Sequence, residues 1–178
     1  MGLFKWFRKN EEENELGKII VDLSQVLKHL NRIRFPVTGI YAIPNDFFRY
    51  RVFHSKRWLE EALKRAYLLI DELNNKKSPK SYRGKSQLTV DEEDLLLNLL
   101  FGFINDGKKI LEFLKYTEKE GSVYSIVIRK GKFVDYRDKS TKKEIDEAKK
   151  NINKERDVFV DKLKSLLDDL KNIKKKIK

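Results

Sequence analysis

Residues 141–177 carry one unbroken helical repeat, and a chain that contains it has few ways to fold. Ile145, Ile152, Phe159, Leu166 and Ile173 recur every seven residues. Leu163, Leu170 and Ile177 form a second row, four positions after the last three of these. No proline or glycine interrupts the run. Thr141 and Glu144 read as a capping box, in which hydroxyl and carboxylate each satisfy a free backbone N–H at the helix start. At 1.5 Å per residue this helix is about 55 Å long, nearly twice a typical bundle helix. An apolar stripe of that length needs other helices to cover it.

The rest of the chain supplies them. Leu16, Ile19, Leu23, Val26, Leu30 and Ile33 hold the 3–4 spacing of one helical face, predicting a helix over 13–33. His29 lies beside that face and reads as a boundary residue. Phe48, Val52, Ser55, Leu59, Ala62, Ala66, Leu69 and Leu73 hold the same spacing, predicting a helix over 46–74. Ala62 and Ala66 allow close approach of a neighbour. Thr89 and Glu92 form a second capping box for a helix over 90–118. In it, Leu95 to Ile104 is apolar on all sides except at Asn98 and Gly102, as expected of a central helix or one paired with another chain. Asn105-Asp106-Gly107 is a turn signal, but Leu97, Phe101, Ile104, Leu111 and Leu114 keep helical spacing across it. The expectation is one helix, with Gly102 and Gly107 as points of close contact.

Between the helices, residues 37–43 read as a short strand, and 123–129 with 132–136 as a hairpin turning at Lys130-Gly131. The predicted fold is mainly α, an up-down four-helix bundle with a long C-terminal helix and a small three-stranded sheet at one end. Residues 1–10 are a basic aromatic segment, and 11–178 a single domain.

Charge is the main functional clue. The chain has 178 residues and a net charge of +12. Residues 1–10, 74–87 and 171–178 hold 13 basic residues and no acidic ones, leaving 27 basic against 28 acidic elsewhere. Up-down topology sends all three segments to one pole. The residues expected to bind an anionic surface are Lys5, Trp6, Arg8, Lys9, Lys76, Lys77, Lys80, Arg83, Lys85, Lys174, Lys175 and Lys176. Leu3, Phe4, Trp6 and Phe7 among cations resemble an interfacial membrane anchor; packing on the bundle is the alternative for the same aromatics. Tyr82 beside Arg83 gives nucleic acid its case. The expected location is the cytoplasm, with a peripheral membrane position as the alternative. The last helix is expected to overhang the bundle and expose an apolar seam at Leu163, Leu166, Leu170 and Ile173, so homo-oligomers through 141–177 or 95–104 are the second class of partner.

Little else in the chain carries chemistry. Charged residues make up 38% of the chain, well above the roughly 25% of an average domain. With no cysteine and one methionine, this is a thermophile-like composition. Without cysteine there is no disulfide and no thiolate, and two histidines without an E-x-x-H pair give no di-iron site. The run Asp91–Asp94 suits a helix dipole better than a metal. No metal, cofactor or small-molecule substrate is expected. Arg49-Tyr-Arg-Val-Phe-His54 has an arginine, four residues and a histidine. This resembles the R-x4–6-H motif of HEPN-domain ribonucleases, small all-helical proteins. The resemblance implies that Arg49 holds phosphate and His54 moves protons. The leading expectation remains a non-enzymatic binding protein, with a self-associating adaptor and this ribonuclease as alternatives.

Overall fold

The computed structural model describes residues 15–33, 45–75, 88–126 and 142–176. They form four helices: α1 (Glu15–Leu30), α2 (Asn45–Asn75), α3 (Val90–Ile126) and α4 (Lys142–Lys176). Each helix packs on two others, in the cycle α1–α2–α3–α4–α1, with no diagonal contact among the described residues. Neighbours are antiparallel. Arg65, late in α2, reaches Glu15 at the start of α1, whereas His29, late in α1, meets Arg51 early in α2. Lys56 pairs with Glu118 across α2 and α3, and Lys176 with Glu92 across α3 and α4. This is an up-down bundle, with each amphipathic helix packed on the next in the chain.

The core follows the 3–4 spacing. All six positions of the α1 face are buried, and in α2 so are Val52, Ser55, Leu59, Ala62, Ala66, Leu69 and Leu73. Phe113 and Phe159 meet with ring centroids 5.4 Å apart between α3 and α4. The Thr89–Glu92 box forms: Thr89 N donates to Glu92 Oε2 at 3.0 Å, and Glu92 N to Thr89 Oγ1 at 3.3 Å. The Thr141–Glu144 box and the aromatics of residues 1–10 lie outside what is described.

Three expectations change. First, α3 runs through Ile126, so residues 123–126 are helical and the first strand of the expected hairpin is not formed there. Val123, Tyr124 and Ile126 favour strands only where a sheet edge receives them, and continuing an existing helix adds one hydrogen bond per residue. No strand occurs among the described residues; residues 37–43 and 132–136 lie outside them. Second, α4 does not overhang. At 37 residues α3 matches the 35 of α4, and Lys176 still finds Glu92. The seam is inside the bundle: Leu163, Leu170 and Ile173 are buried and Leu166 is half-buried. Third, only one of the two glycines is a contact point among the described residues. A Cβ at Gly107 would sit 2.7 Å from Leu63 Cδ2, while one at Gly102 meets nothing within 4 Å.

Among the described residues, no helix is long and apolar enough to cross a membrane.

Candidate functional site

Antiparallel pairing of α1 and α2 lays the last turns of α1 on the first turns of α2. Both histidines of the chain meet there. The His29 and His54 rings stack with centroids 5.0 Å apart at 21°. Tyr50 tilts against His54 at 4.2 Å and meets His29 edge-on at 5.8 Å; Phe53 meets His54 edge-on at 5.3 Å. Arg51 Nη1 lies 3.0 Å from His29 Nδ1. A guanidinium only donates, so Nδ1 is the acceptor and the neutral ring carries its proton on Nε2. Arg51 is itself buried, and Ser55 Oγ donates to its backbone carbonyl at 2.8 Å.

His29 is held neutral. Burial comes first, followed by the positive charge of Arg51, and then His54, Lys28 and Arg32; together they lower it to about 4 from 6.5. The unfolded chain therefore binds a proton that the folded one refuses as pH falls from 6.5 toward 4. This contribution to stability is full above 6.5 and lost on acidification, by about 2 kcal/mol between pH 7 and pH 5. Burial shifts Asp22 upward, which acts in the opposite sense nearer its ordinary range, so the wild type alone does not isolate the histidine. Against His29→Asn, whose Oδ1 can still accept from Arg51, urea denaturation at pH 7 and pH 5 is expected to show that difference. Equal slopes in the two proteins would remove it.

The outer side of the same cluster is basic and aromatic. Arg49, Phe53 and Arg57 follow one another at four-residue intervals along α2, all exposed, with Tyr50 alongside. Tyr50 is 49% and Phe53 58% exposed, so part of each ring is open to solvent. The Arg57 guanidinium lies 5.7 Å over the Trp58 ring. Lys28 near the end of α1 and Arg32 in the turn after it are exposed. Lys56, by contrast, is paired with Glu118 at 3.0 Å. Residues 28–58 hold seven basic residues and one acidic one. A window count along the sequence finds this patch, whereas a balance over everything outside the three basic segments averages it against acidic stretches.

The expected basic pole is described only in part. Lys174, Lys175 and Lys176 close α4; Lys175 is exposed, Lys174 is half-buried, and Lys176 Nζ lies 3.1 Å from Glu92 Oε1. Hydrogen bonds from the Thr89 backbone and from Lys176 hold Glu92 below its ordinary range. Asp91, Glu92, Glu93 and Asp94 stand at the same pole, which makes its described part mixed in sign. Lys5, Trp6, Arg8, Lys9, Lys76, Lys77, Lys80, Arg83 and Lys85 lie outside the described residues.

Arg49 and His54, five residues apart in α2, fall about 140° apart around a regular helix. Arg49 is exposed, and the arginine that meets a histidine is Arg51. Among the described residues, no group of three His, Asp or Glu is placed to hold a metal. The arrangement thus offers partly open rings and fixed positive charge: the means to hold an anion or stack a base.

No protein family matches this chain, and no curated protein and no solved structure is significantly similar to it.

Proposed function

We propose that the protein is a non-enzymatic helical-bundle binding protein whose basic pole engages an anionic surface, a membrane surface ahead of nucleic acid. The antiparallel register supports this reading. The Lys176–Glu92 and Arg65–Glu15 pairs hold the end of α4 to the start of α3, and the far part of α2 to the start of α1. The helix ends that continue into residues 1–10, 74–87 and 171–178 therefore share one pole. Cations at such a pole gain about 1 kcal/mol each near anionic lipid. Trp6 and its neighbours would add apolar anchorage.

A second reading, single-stranded nucleic acid, is favoured by the exposed Arg49–Tyr50–Phe53–Arg57 face. Base stacking on such rings contributes about 1–3 kcal/mol per base.

One set of assays at a single low salt concentration separates the two: pelleting with phosphatidylcholine vesicles with and without phosphatidylserine, and anisotropy with duplex DNA and single-stranded RNA. The membrane reading expects pelleting only with the anionic vesicles, weakened in Trp6→Ala. The second expects RNA binding that Phe53→Ala lowers about tenfold, with pelleting unchanged. Binding to neither rejects both. The same incubation tests the ribonuclease that Arg49 and His54 resemble, which would shorten the RNA and lose that activity in His54→Ala.

A further inference from the structure

Helix α3 has an outward face that no other described residue covers. Leu95 and Phe101 are each 50% exposed. Tyr67, on α2, is 46% exposed, and the contact of Leu63 with Gly107 sets it level with position 103 of α3, within a turn of Phe101. Phe101 and Tyr67 form a small apolar patch, with Leu95 about 120° away around α3. Gly102 lies beside Phe101 on the same outward face. Glycine is the poorest helix former after proline, and an exposed position in mid-helix gives it no reason to be there. Gly107 has its reason in Leu63; a Cβ at Gly102 would meet nothing within 4 Å. A glycine on an exposed apolar helix face suits the close approach of another helix.

The charges identify that helix. Asp94 precedes the patch and Lys109 follows it, both exposed, at equal distances from the midpoint between Phe101 and Gly102. A two-fold axis through that midpoint sets two copies of α3 antiparallel. It pairs Asp94 with Lys109 of the second copy, Asn98 with Asn105, and Phe101 with Gly102. Each contact occurs twice, as an isologous interface requires. A bulky ring then faces a residue with no side chain, and each acid faces a base. One like-signed pair, Asp91 with Glu112, falls at the edge of the contact, where water screens it.

We infer that the outward face of α3 is a docking surface for a second copy of this chain, crossing antiparallel at Phe101 and Gly102. This is independent of the anionic-surface reading, because it uses none of those residues.

Sedimentation equilibrium of the full chain over a range of concentrations tests it. The expected result is a reversible dimer, twice 21.2 kDa. Phe101→Asp is expected to be a monomer with unchanged helical circular dichroism. Asp94→Lys and Lys109→Asp, each placing like charges together twice, are expected to weaken the dimer by about tenfold or more. The double variant, with the net charge of the wild type, is expected to restore it. A wild type that stays monomeric at millimolar concentration overturns the proposal. So does a dimer that survives Phe101→Asp, or a double variant as weak as the singles.

Discussion

Arg156→Ala is expected to lower the free energy of unfolding by about 4 kcal/mol, read by urea denaturation at pH 7. Arg156 is 1% exposed in the middle of α4, the largest of the fully buried side chains. Its Nη1 donates to the carbonyl oxygen of Ile33 at 2.6 Å, and its Nε donates to Asp157 Oδ1 at 3.2 Å. Ile33 closes the turn after α1, where Arg32 N and Ile33 N bond back to the carbonyls of His29 and Leu30. The guanidinium thus caps, from another helix, a chain end whose carbonyls have lost their helical partners. Alanine leaves that carbonyl buried without a donor, at a cost of about 1–3 kcal/mol. The space left by the aliphatic stem costs about 2 kcal/mol more. Asp157 is 59% exposed at its side chain and loses little, because water replaces its partner. Methionine separates the two costs. Arg156→Met keeps most of the stem and avoids burying a charge, so it should lose only about half as much. Equal losses in the two variants would show that the carbonyl, and not the packing, dominates.

The second large effect is at Gly107. Gly107→Val is expected to cost about 3 kcal/mol, and Gly107→Ala close to nothing. A Cβ here would lie 2.7 Å from Leu63 Cδ2 and 3.3 Å from its Cγ and Cδ1. Those atoms end a flexible side chain, so a single methyl can displace them by a few tenths of an ångström. The helical preference of alanine over glycine, about 1 kcal/mol, offsets that displacement. Valine adds two carbons in a position where Leu63, only 7% exposed, has nowhere to move. The check is a double-mutant cycle with Leu63→Ala. If steric conflict between these two helices is the cause, the double variant loses much less than the sum of the singles.

Much of this fold is legible in local spacing. The apolar rows of α1, α2 and α4 give the helices and most of their buried positions, because a 3–4 repeat has one face to hide and the bundle offers one interior. Thr89 and Glu92 give the start of α3, because a capping box closes within four residues. The tendency of consecutive helices to pack as neighbours gives the antiparallel order.

The candidate site was much less legible. His29 reads as a boundary residue on α1 and His54 as half of a spacing on α2, and only the register of the two helices stacks the rings and sets Arg51 against His29. The seven cations of residues 28–58 are readable in the chain, but which of them stand exposed beside Tyr50 and Phe53, as Arg49 and Arg57 do, depends on which face α2 turns inward.

What the sequence alone determined is therefore the set of helices, their order and the inward faces of α1, α2 and α4, each fixed by residues within a few turns of one another. What only the tertiary structure decided depends on residues far apart in the chain. The strand-prone residues 123–126 join α3, because a helix already formed extends at lower cost than an isolated strand begins. The long α3 then matches α4 in height and turns an expected exposed seam into core. Arg156 reaches the carbonyl of Ile33 across 123 residues. Burial is a property of what lies opposite, and a helix cannot specify from its own spacing how long its neighbours will be.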